Sequence, residues 1–142
     1  MMKLLSLRLI ALLVVVTALN GCSLKLQIAL FNNVGELLTV RLNDKNIAVE
    51  SGQFAQFDYP GDAQMWMIRL SVGKCEYVYQ VPKTLEHYPW SSDKKGPLKA
   101  QIERNFDIFL LPPQTTAMGV VAKFGNLQQD GFPLHPVSKI CH

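Results

Sequence analysis

Apolar residues recur at every second position along much of the chain, and that rhythm decides what it can fold into. Leu26, Ile28 and Leu30 alternate with Gln27 and Ala29, and Leu38, Val40 and Leu42 with Thr39, Arg41 and Asn43. Trp66, Ile68, Leu70 and Val72 alternate with Met67, Arg69 and Ser71. Cys75, Tyr77, Tyr79 and Val81 alternate with Glu76, Val78 and Gln80. Successive side chains of an extended chain point to opposite faces, so a two-residue period puts one face of each strand on a core. Further strand-like runs are 47–49, 53–59, 98–104, 107–111 and 118–124. No stretch of a dozen residues carries the stripe of an amphipathic helix.

The punctuation agrees with this reading. Gly73-Lys74 joins two alternating runs, and Gly at the first central position suits a type II′ hairpin. Asn43-Asp44-Lys45-Asn46 and Tyr59-Pro60-Gly61-Asp62 are turn clusters. Pro112-Pro113 ends a strand, because neither residue donates to a ladder. About seven to nine short strands with frequent turns predict an all-β fold. The expected form is a single compact antiparallel β-sandwich, immunoglobulin-like or similar, with a small β-barrel as the alternative. Two stretches break the rhythm: the connection 82–97, and 114–116, which is followed later by the tail 125–142. Long connections are often where function lies.

The amino terminus follows a different logic. Lys3 and Arg8 supply two positive charges, and Leu9 to Leu19 is an uncharged apolar run. As a helix that run rises about 16 Å, half of a bilayer's hydrocarbon core, so it is too short to span. A basic start, a short apolar run and small residues after it describe a secretory signal. Leu19-Asn20-Gly21-Cys22 then resembles the lipobox of bacterial lipoproteins. The resemblance implies that residues 1–21 are removed, that the Cys22 thiol takes a diacylglyceryl group, and that the new amine is acylated. Only Cys supplies the nucleophilic thiol this chemistry needs. Ser23 behind the cysteine implies, for a Gram-negative host, the periplasmic face of the outer membrane. Residues 22–25 then form a lipidated terminus and short tether, and 26–142 the β-sandwich domain.

Removal of 1–21 leaves 121 of the 142 residues, enough for one core and not two. Lys3 and Arg8 leave with the signal, so 12 basic residues face 11 acidic ones. That balance, without a basic tract, gives no reason to expect nucleic acid as a partner. With Cys22 carrying lipid, Cys75 and Cys141 remain as a pair in an oxidising compartment, and a disulfide between them is expected. It would close a loop of about 67 residues.

Catalytic chemistry is harder to find. There is no GxSxG elbow, no HxH or HExxH spacing among His87, His135 and His142, and no Gly-rich loop leading into Lys-Ser or Lys-Thr. Glu86 with Asp93, or Glu103 with Asp107, are carboxylate pairs on paper. Glu103 and Asp107 flank Arg104-Asn105-Phe106, which reads better as a hairpin tip. No enzyme, cofactor or metal site is therefore expected. The candidate contact residues are His87, Tyr88 and Trp90, whose rings join a rigid Pro89 in the long loop. The expected function is a non-enzymatic structural, assembly or protein-interaction module of the cell envelope. It would be held by membrane lipid through acylated Cys22 and meet an envelope protein partner. The alternative is a small-ligand or glycan-binding lipoprotein using loop 82–97.

Overall fold

Nine strands account for most of the described chain: β1 Lys25–Asn32, β2 Leu38–Leu42, β3 Lys45–Val49, β4 Phe54–Pro60, β5 Met67–Val72, β6 Cys75–Gln80, β7 Leu98–Ile102, β8 Ile108–Leu111 and β9 Ser138–Cys141. The structure is a computed structural model that describes residues 25–42, 45–60, 67–82, 96–112 and 128–142. No helix occurs among the described residues. The strands form a four-stranded sheet, β4-β1-β7-β8, and a five-stranded sheet, β3-β2-β5-β6-β9. These two sheets pack face to face as a β-sandwich, and no barrel closes. Every neighbouring pair is antiparallel except β1 and β7, which run parallel with Ile28 opposite Leu98. Alternation within a strand says which face is apolar and nothing about which strand lies beside it, so this parallel pair was not foreseen.

Alternate residues build the core as the period requires. Ile28, Leu30, Phe57, Leu98, Ala100 and Leu110 of the smaller sheet meet Leu38, Val40, Leu70, Val72, Tyr77 and Tyr79 of the larger. Each fully buried aliphatic side chain contributes about 1.5–3 kcal/mol relative to an exposed one. The hairpin at Gly73 has φ +56°, and Lys74 has no positive φ, as a type II′ turn needs. A two-residue connection also joins Leu42 to Lys45, so Lys45 and Asn46 belong to β3 rather than to the turn.

The two outer faces differ. On the larger sheet Arg41 and Arg69 are exposed, as half-buried strands predict. On the smaller sheet Ala29, Phe31, Gln101 and Leu111 point away from the inter-sheet core and are nevertheless buried. Phe31 packs edge-on against Phe54 at 5.2 Å between ring centroids.

Among the described residues two polar side chains are wholly buried, and one of the two is fully satisfied. Asn32 donates through Nδ2 to the carbonyls of Glu36 (2.7 Å) and Val49 (2.8 Å), and its Oδ1 accepts from Val34 N–H (2.9 Å). Its backbone receives Gly52 N–H and donates to the Gln53 carbonyl. One residue thus fastens the β1–β2 turn, the end of β3 and the β3–β4 turn. Gln101 donates to Glu103, while its Oε1 accepts no hydrogen bond.

Candidate functional site

β9 is the element that carries the predicted disulfide. Register sets Cys75 directly opposite Cys141, Glu76 opposite Ile140 and Tyr77 opposite Lys139. Cys75 and Cys141 are joined by a disulfide, with Cα atoms 4.0 Å apart, across a sequence separation of 66. The bond fixes a four-residue strand that buries no core residue of its own, Ile140 and Cys141 being exposed. Its position explains why the strand escaped the sequence reading: an edge strand with no buried face has no alternation to show.

The segment before β9 is stitched to the other sheet. Gln128 spans the backbone of Leu110, accepting from its N–H and donating to its carbonyl, both at 2.9 Å. Leu134 and Ile108 exchange both backbone hydrogen bonds, at 2.9 and 2.8 Å. A side-chain amide and a single bridge therefore satisfy the free edge of β8. Further on, Val137 N–H reaches the Val78 carbonyl, and His142 N–H reaches that of Lys74. Residues 128–142 thus run from the edge of one sheet to the edge of the other as a clasp.

The β7–β8 turn closes under this clasp. Phe106 holds φ +66°, a conformation that costs a non-glycine residue energy. Its ring stacks on Tyr77 at 3.9 Å and 11°, and its carbonyl accepts the Tyr79 hydroxyl at 2.8 Å. Burial pushes the Tyr79 hydroxyl well above its ordinary pKa, with nearby Tyr77 and Asp107 adding to the effect. Lys139 places its ammonium over the same Tyr77 ring, 5.4 Å from its centroid.

Among the described residues titratable groups come together at two places. Asp107 Oδ1 lies 2.6 Å from His135 Nδ1, and Asn105 donates to Asp107 Oδ2 at 2.7 Å. A base oriented by a carboxylate is half of a hydrolytic device; the other half is a nucleophile in hydrogen-bond reach. No such contact to His135 is recorded among the described residues, and the pair ties the clasp to the turn. Glu103 receives Asn33 Nδ2 at 2.7 Å as well as Gln101, so Glu103 and Asp107 have separate partners. The hairpin-tip reading of this segment holds.

The second place is a shallow depression of about 500 Å³ beside the disulfide, lined by Ser71, Gly73, Lys74, Cys75, Glu76 and His142. Glu76, its one carboxylate, is held by Arg69 at 3.1 Å and by Arg41 at 3.9 Å. Arg41 and Arg69 are direct cross-strand neighbours, and like charges in that relation repel unless a counter-charge intervenes. Glu76 supplies it, so its role is accounted for within the sheet. Among the described residues no three His, Cys, Asp or Glu side chains cluster as metal ligands.

Cys22, His87, Tyr88 and Trp90 lie outside the described residues, as do Trp66, Glu86, Asp93 and the run 118–124. Compared with protein-family models, with curated proteins and with solved structures, the chain finds no match. What the fold and its fastenings define is a class: a small disulfide-clasped β-sandwich.

Proposed function

We propose that this chain is the precursor of a lipid-anchored envelope protein whose β-sandwich serves as a non-enzymatic interaction or assembly module. The observation that carries the reading is the lipobox-like Leu19-Asn20-Gly21-Cys22 after a short apolar run, with β1 opening at Lys25. Two or three acyl chains on Cys22 would hold the protein at a membrane, since each buried methylene contributes about 0.8 kcal/mol. Ser23 favours the periplasmic face of the outer membrane. Confinement there raises the effective concentration toward any envelope partner. A disulfide suits the same oxidising compartment. The pairing of Asp107 with His135, and of Glu76 with two arginines, supports a module whose polar groups maintain its shape.

The test is direct. Palmitate should label the wild-type protein and not a Cys22→Ala variant, which should accumulate as an uncut precursor. Equal labelling of the two overturns the anchor. Envelope crosslinking of the lipidated protein should then capture a protein partner through His87, Tyr88 or Trp90. Glycan retained on these residues in its place would favour the ligand-binding alternative.

A further inference from the structure

Register decides which backbone groups of β9 are engaged and which are free. The two-residue hairpin at Gly73-Lys74 closes on Val72 opposite Cys75, so odd-numbered residues of β6 bond to β5 and even-numbered ones to β9. His142 N–H on the Lys74 carbonyl continues that ladder, and Ile140 opposite Glu76 is its next rung. Ser138, Ile140 and His142 therefore bond inward. The N–H and C=O groups of Lys139 and Cys141 point to the open side of the sheet, where none of the described strands lies.

The other three edge strands are guarded. Gln128 and Leu134 satisfy the edge of β8. β3 opens on exposed Lys45, and β4 carries exposed Asp58 and ends on Pro60. Charge and proline are the usual protection of an unpaired edge. β9 carries one charge, and Lys139 turns its ammonium back over Tyr77 of the neighbouring strand. What the edge then presents is apolar: Ile140 is 49% exposed, and Val137 just before the strand 60%. The disulfide keeps this edge in place on β6.

We propose that β9 pairs antiparallel with β9 of a second copy of this chain, Ile140 set against Ile140 of that copy. The proposal names a partner for the interaction module argued above and rests on that reading for the role alone, since the edge geometry is independent of Cys22. The register is self-complementary. Lys139 falls opposite Cys141 of the second copy and Cys141 opposite its Lys139, the residues whose backbone groups are free, so each pair exchanges two hydrogen bonds. Ile140 takes the non-hydrogen-bonded position between them, where side chains approach most closely. A one-residue shift would set engaged groups against free ones, and a two-residue shift toward the strand's start would set Lys139 directly against itself. The charges permit the pairing. The two Glu76 carboxylates stand three strand spacings apart, roughly 14 Å and beyond a Debye length of about 8–10 Å. Each also keeps its own Arg41 and Arg69. A contact this small is weak and depends on concentration.

The mature full-length protein tests this by sedimentation equilibrium and hydrogen exchange. Wild type should fit a monomer–dimer equilibrium. The Lys139 and Cys141 amides should gain protection as concentration rises, while those of Ile140 and His142 stay protected throughout by β6. Ile140→Lys and Ile140→Glu each place like charges opposite one another and should weaken pairing several-fold, with the disulfide and the melting temperature unchanged. Mixed in equal amounts, the two variants should associate again, because in this register residue 140 faces itself. A wild type still monomeric at about 1 mM overturns the proposal. So does a dimer indifferent to both variants, or a mixture of the two that stays monomeric. Protected Lys139 and Cys141 amides in a monomeric preparation would put a strand of another protein on the edge and exclude the second copy. A monomer with acylated Cys22 sinks the pairing and leaves the anchor standing; a dimer with unacylated Cys22 does the reverse.

Discussion

The two lateral seams of the sandwich are closed by opposite means. On one side β3 and β4 are consecutive, joined by a four-residue turn and pinned by Asn32, whose side-chain partners lie 2, 4 and 17 residues away. On the other side β8 faces β6 and β9, and the fasteners are long-range. Tyr79 reaches Phe106 across 27 residues, His135 reaches Asp107 across 28 and Gln128 reaches Leu110 across 18, while the disulfide across 66 residues ties the end of the clasp to β6 within the larger sheet. Loop-closure entropy grows with separation, so contacts of the first kind are available early and those of the second must be assembled after the sheets meet. The first seam is maintained by hydrogen bonds to one wholly buried side chain. The second is spanned by the clasp, whose last strand is held to β6 by a covalent bond at a partly exposed edge, because a short strand outside the core has little else to hold it.

The largest expected effect breaks the second seam. Removing the disulfide with Cys75→Ala and Cys141→Ala should cost about 4 kcal/mol, the chain-entropy value for a loop of about 67 residues. Urea denaturation reads the loss, and hydrogen exchange locates it. The amides of Ile140 and His142 should exchange far faster, while Val40 and Leu70 keep the protection of the core. Uniform loss of protection would mean that the clasp is not a separate unit. The next effect breaks the first seam. Asn32→Ala strands Val34 N–H and the Glu36 and Val49 carbonyls, and each buried unpaired group costs about 1–3 kcal/mol, so a loss near 3 kcal/mol is expected. Exchange should then rise at the β1–β2 and β3–β4 turns and not in β9. If both variants loosen the same amides, the seams are one cooperative element and the comparison fails.

How much of this was legible beforehand follows the same division. Strands with one face on the core announced themselves through alternation, and β2 is the run 38–42 that the period marks. Gly73 declared its turn because a positive φ selects that residue. The disulfide followed from cysteine arithmetic once Cys22 was set aside. What stayed hidden was pairing: nothing in residues 98–102 says that they lie parallel to β1. Asn32 gives no sign in the sequence of its role as a fastener, since an asparagine on a surface loop and one buried among three backbone partners look alike there. The buried outer face of the smaller sheet was half visible, in that Ala29 and Phe31 break the polar alternation of β1. Gln101 hid the rest of it, because a glutamine between Ala100 and Ile102 reads as solvent-facing.

Two smaller predictions sharpen the contrast within the second seam. His135→Ala removes the contact to Asp107 from an imidazole that is mostly exposed, so a cost below about 1 kcal/mol is expected from denaturation midpoints. Tyr79→Phe removes a buried donor and leaves the Phe106 carbonyl without it, for about 1–1.5 kcal/mol near neutral pH. The two should separate further in alkali. The folded state holds the Tyr79 hydroxyl protonated above its ordinary pKa of 10.0, while the unfolded chain releases that proton. Unfolding then sheds a proton, so wild-type stability falls as pH rises past 10, by up to about 1.4 kcal/mol per pH unit. Tyr79→Phe lacks that component, and its disadvantage against wild type should shrink steadily through this range. A constant gap between the two proteins from pH 7 to 11 would show that Tyr79 ionises as easily folded as unfolded. The hydroxyl would then be solvated, and its bond to the turn could not be one of the fasteners of the seam.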